Sequence, residues 1–253
     1  MAGHSQFKNI MRRKGAQDIK RGKIFTKIAR EMMVAAKAGP DINFNAKLRA
    51  VVIKARQAGM AKDKIDAAIA KGSGTGSMEA FETVRYEGYG PGGVAMIVEA
   101  LTDNRNRTAA DVRSIFTKNG GTMGESGSVG FMFSHVGLIE YSAEAISEEV
   151  MLEAAIEAGA ENCETTLQGE SGGTHTITTS MESLHAVREA LGIAFGDPLT
   201  AKFTFLPTIT TACAGDTAAA LMELVEALED NDDVQEVFTN ADFPEAVLAK
   251  LAS

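Results

Sequence analysis

The chain has 253 residues, 45% of them apolar and 23% charged, with a formal net charge of −9. This is ordinary globular usage and argues against wholesale disorder. No apolar run approaches the roughly 20 residues of a membrane helix, no apolar leader core follows the basic N-terminus, and Cys163 and Cys213 stand far apart without CxxC spacing, so a membrane span, a secretory signal, a disulfide framework and a zinc ribbon are not expected.

The net charge conceals a split. Residues 1–72 carry 17 Lys+Arg and 5 Asp+Glu, whereas residues 73–253 carry 8 and 29. A basic part of this kind points to an anionic partner such as nucleic acid. Its competitor is a basic face that docks on the acidic remainder of its own chain.

Residues 3–15, GHSQFKNIMRRKG, have no sustained apolar period and read as an arm carrying Lys8, Arg12, Arg13 and Lys14 beside the aromatic Phe7. Residues 16–38 read as a helix with Ile24, Phe25, Ile28, Met32 and Ala35 on one stripe, stopped by Gly39 and Pro40. At about 100° per residue, Lys20, Lys23, Lys27 and Arg30 gather on another stripe, next to Arg21, where they would meet phosphates. A second helix, 45–58, sets Leu48, Val51, Val52 and Ala55 inward with Lys47, Arg49, Lys54 and Arg56 around them. A third, 62–71, ends at Gly72. The last two suggest a helix-turn-helix shape, but the third helix offers lysines and no Arg, Asn or Gln for bidentate base contacts. A three-helix fold with phosphate-contacting cations fits equally well.

GSGTGS at 72–77 reads as a linker. Strands are expected at 81–87 and 93–101, with YGPGG as their hairpin connection, then a helix at 107–119, a glycine-rich loop at 120–130 and a strand at 129–134. Residues 137–205 follow the order βαββαβ, the ferredoxin-like unit. The flanking pieces give the same order when joined: strands 93–101 and 129–134 around helix 107–119, then strands 206–211 and 234–240 around helix 216–230. The fold class is therefore α+β, a three-helix domain followed by two ferredoxin-like domains, one inserted in the other. The expected boundaries are 1–76, 77–135 with 206–245, and 136–205.

No chemistry-bearing pattern emerges. Neither glycine-rich loop holds a Walker lysine, and the first is more simply a turn that needs positive φ. His4, His135, His175 and His185 lack metal-ligand spacing. Cys163 sits among acidic residues that would raise its thiol pKa. No catalytic residue, metal or cofactor is expected. The run Asp103–Asn104–Arg105–Asn106–Arg107 at a helix start offers either a cap or a second anion contact. Between Lys118 and Arg188 there are eleven Asp+Glu and no cation, giving a solvated acidic surface or one for a basic protein.

The strings GHSQFKNIMRRKGAQDIKRGKIFTKIAREM, YEGYGPGGVAMIVEALTDNRNRTAADVR and KNGGTMGESGSVGFMF resemble the signatures of the YebC/PmpR family, and the resemblance runs over essentially the whole chain. Phe7 departs from the tryptophan usual there. The resemblance implies a cytoplasmic, non-enzymatic protein of one helical and two α+β domains. It implies a transcriptional regulator that binds DNA or, as in mitochondrial relatives, a translation activator at the ribosome. The residues leave DNA and RNA open, because phosphate contacts are common to both. A module that recognises an acidic protein through its basic segment is the further alternative. The expected nucleic-acid contacts are Lys8, Arg12, Arg13, Lys14, Lys20, Arg21, Lys23, Lys27, Arg30, Lys47, Arg49 and Lys54.

Overall fold

The computed structural model describes residues 17–74, 81–167 and 173–244. The expected arm at 3–15 and residues 75–77 of the expected linker lie outside these residues, whereas Gly72 and Ser73 of that linker belong to the third helix. Three helices come first: α1 (Gln17–Ala36), α2 (Ala46–Gln57) and α3 (Lys62–Ser73). They enclose a core of their own, in which Ile28, Met32 and Ala35 of α1 meet Leu48, Val51, Val52 and Ala55 of α2 and Ile65 and Ala68 of α3. Asn45 caps α2 by accepting the Leu48 N–H. Beyond α2, Gly59 takes φ 77°, and the N–H groups of Gly59 and Met60 donate to the Arg56 and Ala55 carbonyls, which closes the helix in a Schellman turn. Gly72 lets α3 cross α1 closely: a Cβ there would lie 2.4 Å from the Met33 carbonyl oxygen.

The next layer is a four-stranded sheet built from β1 (Glu82–Tyr89), β2 (Ala95–Thr102), the short β3 (Thr122–Met123) and β9 (Val234–Thr239), in the order β3-β1-β2-β9. Helices α4 (Arg105–Lys118) and α7 (Gly215–Glu229) pack on it. Its core joins Val84, Tyr86, Met96 and Val98 to Val112, Phe116, Leu221, Leu224 and Leu228. The inserted part runs β4 (Phe133–Ser142), α5 (Glu148–Glu157), β5 (Asn162–Leu167), β6 (Gly173–Thr179), α6 (Leu184–Phe195) and β7 (Thr200–Pro207). Its strands lie β5-β6-β4-β7, all neighbours antiparallel, which is the ferredoxin-like arrangement. Ile139, Tyr141, Met151, Ile177, Val187 and Leu191 form a third separate core. Thr174, Thr176 and Thr178 alternate with buried His175, Ile177 and Thr179, so the sheet face away from that core carries threonines.

The fold class is as the pattern predicts, with two corrections inside the outer sheet. Residues 129–134 are not one of its strands: Gly130–Met132 form a short 3-10 turn, and Phe133 opens β4, paired with Pro207 of β7. Nor does 206–211 enter that sheet. Among the described residues, Thr211–Ala212, β8, pairs with β10 (Ala241–Asp242) alone. The strand between β3 and β2 is instead β1, from earlier in the chain. Glu82–Tyr89 closes on Ala95–Thr102 through a turn in which Gly92 and Gly93 take φ 74° and 73°. Through this short turn β1 pairs with β2 along its whole length and takes that edge of β2, while β9 takes the other. The chain divides into two compact units, Met1–Met132 with Ile209–Ser253, and Phe133–Thr208.

Candidate nucleic-acid interface

The basic stripe of α1 meets the C-terminal end of α7. Lys23 Nζ donates to the Asp230 carbonyl at 3.1 Å and lies 3.3 Å from its carboxylate. Lys27 Nζ donates to the Glu229 carbonyl. Arg30 donates to the Asp232 carbonyl and to Asp233 Oδ1, both at 2.9 Å. The last carbonyls of a helix lack intrahelical partners and carry its negative partial charge, and α7 has no basic residue in its own last turn. The cations of α1 satisfy both needs from outside. Burial pushes the Lys27 ammonium below its usual range, although Glu229, Asp232 and Asp230 pull it back in part.

Asp233 is the hub of this contact. Its buried carboxylate also accepts from Arg107 at 2.8 Å, Thr108 at 2.7 Å and Thr102 at 3.4 Å. Burial pushes its pKa up, but the bonds from Arg107 and Thr108 and the charges of Arg107 and Arg30 outweigh that and hold it below the ordinary value. The polar run at the start of α4 is thus largely structural: Asn104 accepts the Arg107 N–H, and the Arg107 guanidinium bridges Asp103 and Asp233.

The remaining expected contacts divide by element. Lys8, Arg12, Arg13 and Lys14 lie outside the described residues. Lys20 and Arg21 stand in the first turns of α1. Lys47 is exposed at the start of α2. Lys54, seven residues on and so on the same face, is exposed and pairs with Glu31 at 2.7 Å. Arg49 is half-buried and holds the preceding loop, donating to the carbonyls of Ile42 at 3.0 Å and of Asn43. Lys37, Arg56, Lys62, Lys64 and Lys71 are also exposed; Lys64 sits 5.7 Å from the Phe25 ring centre.

The glycine-rich loop at 120–130 does cradle an anion, but one of the chain's own. The buried Glu87 carboxylate accepts the N–H groups of Gly127, Val129 and Gly130 at 3.0, 2.8 and 2.8 Å. Burial raises its pKa, and the three backbone bonds with the Arg85 charge more than reverse this, so it stays below the usual glutamate value. Among the described residues no cluster of three His, Cys, Asp or Glu could hold a metal. Buried His175 is engaged by Thr165 and the Ile146 carbonyl. Burial raises both thiols, with Glu148 and Glu164 adding to the effect at Cys163. No described helix is long and apolar enough to cross a membrane.

Sequence profiles agree with this architecture. Residues 5–75 match the TACO1/YebC N-terminal domain, and residues 81–241 match the TACO1/YebC second and third domain. The chain belongs to the TACO1/YebC family. A solved structure of a conserved hypothetical protein, Aq1575 from Aquifex aeolicus, is 44% identical, with 90% of this chain and 93% of that one covered and a TM-score of 0.78. Members of the TACO1/YebC family are regulatory proteins, and the shared N-terminal domain is the one that carries the basic surface described above.

Sequence reasoning overlooked Asp233 and Glu87 as partners. The only available signal was the acidic run Glu229–Asp230–Asn231–Asp232–Asp233 following an apolar helix, the natural complement to a basic stripe.

Proposed function

We propose that the chain is a non-enzymatic, DNA-binding regulator of gene expression, acting in the cytoplasm through its helical domain. The observation that carries the reading is the row of outward cations on and around α2 and α3: Lys37, Lys47, Lys54, Arg56, Lys62, Lys64 and Lys71. Between Ala35 and Arg56 the only carboxylate is Asp41, which accepts the Asn43 N–H. Lys47 and Lys54, like Lys64 and Lys71, are seven residues apart on one helix face, about 10 Å apart along the axis. Such cations attract phosphates through counterion release. Lys8, Arg12, Arg13, Lys14, Lys20 and Arg21 are further candidates for phosphate contact in this reading. Lys23, Lys27 and Arg30 would serve it indirectly, by fixing the helical domain on α7. The acidic helix α5, with Glu148, Glu149, Glu153 and Glu157 exposed, would repel phosphates and suit a basic protein.

A translation activator contacting RNA is the second reading: the outward ring of Phe44 suits an unpaired base, which RNA loops and bulges present. Sucrose-gradient fractionation of lysate separates the two. Free migration together with promoter-specific protection supports transcription, and co-migration with ribosomes supports translation.

A further inference from the structure

Phe44 is the most exposed large apolar side chain among the described residues, at 91%. Exposed rings are costly, and this one is not held out by disorder of its loop. The Asp41 carboxylate accepts the Asn43 N–H at 2.8 Å, and the Asp41 carbonyl accepts from Phe44 and Asn45 at 3.2 and 2.9 Å. Asn45 ties the loop to the end of α1 by donating its side-chain amide to the Ala35 and Gly39 carbonyls at 2.8 and 2.7 Å, while its Oδ1 caps α2 by accepting the Leu48 N–H. Arg49 clamps the carbonyls of Ile42 and Asn43 from below. Ile42 turns the other way and packs against the helical core. The loop around the ring is thus tied down by the Asp41 carbonyl and by the side chains of Asp41, Asn45 and Arg49, and the ring itself faces water.

The surroundings of the ring identify what it fits. A protein-binding aromatic normally sits among apolar neighbours that exclude water around it. Phe44 is flanked instead by exposed Asn43 and, at the start of α2, exposed Lys47, and the first turn of α2 contains no acidic residue. A lone aromatic on a tied-down loop beside an exposed lysine is an arrangement that stacks a base while its phosphate meets the lysine. Bases inside a duplex present only their edges, and inserting a ring between them requires unstacking. We infer that Phe44 is a stacking platform for an unpaired base of DNA or RNA, with Lys47 placed for the adjoining phosphate. The inference rests on the nucleic-acid reading above and deepens it, because it directs the protein toward single-stranded segments, loops or bulges.

The test uses the full chain, F44A and F44W, each titrated with a short single-stranded DNA, the same sequence as RNA, and the fully paired DNA duplex. All three probes carry 2-aminopurine. F44A is expected to weaken binding to a single strand about tenfold with an unchanged salt slope, since stacking releases no counterions. F44W should restore both affinity and quenching of 2-aminopurine, and duplex affinity should be nearly the same for all three proteins. The DNA and RNA arms show which polymer supplies the base. Single-strand affinity and quenching that are the same in F44A as in the wild type would overturn this inference while leaving the nucleic-acid reading intact. Failure of the wild type to bind any of the probes would overturn both.

Discussion

Two groups of cations in the helical domain have opposite surroundings. On α1, Lys23, Lys27 and Arg30 lie against a helix end and its flanking carboxylates. On α2 and α3, Lys47, Lys62 and Lys71 stand exposed. Both groups are made of Lys or Arg side chains on helices, and residue type alone does not separate them. Their roles differ because α7 ends without a basic residue of its own, next to a run of aspartates. A surplus of positive charge therefore does not by itself mark a binding surface. The same surplus also holds a domain in place wherever the chain leaves helix carbonyls without partners.

The comparison breaks first at α1. The full-chain triple variant K23E/K27E/R30E sets three negative charges against the negative end of α7, and we expect a stability loss of about 4 kcal/mol, seen as a lower urea midpoint for the helical and outer α+β parts. If the midpoint held, the α1–α7 contact would be incidental. D233N keeps the shape of the hub but removes its charge from Arg30 and Arg107, and should cost about 2 kcal/mol by the same measurement.

Acid sharpens the picture of the two buried carboxylates. Asp233 and Glu87 are both held below their ordinary pKa values in the folded chain. Their contribution to stability is therefore complete above the unfolded values of about 4. It is lost as pH falls through the lower folded values. E87Q should be less stable than the wild type at pH 7 and should lose less stability between about pH 5 and pH 2. A parallel loss in both proteins would show that Glu87 does not contribute to the acid response. The smallest effect belongs to α2 and α3: K47E/K62E/K71E should shift stability by less than about 0.5 kcal/mol, as substitutions at exposed positions do.

Much of this was legible locally. Apolar stripes mark the three helices because each buries one face, and βαββαβ emerges from alternating short runs. The strands at 129–134 and 206–211 were misread because FMF and LPTIT have the composition of a strand without revealing its partner. Register decides that, and register is non-local. That the basic face docks on the chain's own acidic part is one of the two readings the charge split allows, but the partner segment is hidden from it, since Lys23 and Asp230 are 207 residues apart. Glu87 offered no sign that its partners are loop amides forty residues away. Phe44 was hidden for the opposite reason: a single phenylalanine in a loop reads as a core anchor until its exposure is seen.

The division of labour between the two cation groups is tested most directly by the salt dependence of DNA affinity for full-length K47E/K62E/K71E. If these side chains meet phosphates, affinity falls and the slope of log affinity against log salt shrinks by about 0.7–0.9 for each lost contact, while the urea midpoint stays in place. Unchanged affinity and slope would contradict the account and return the search for the binding surface to the docked stripe of α1.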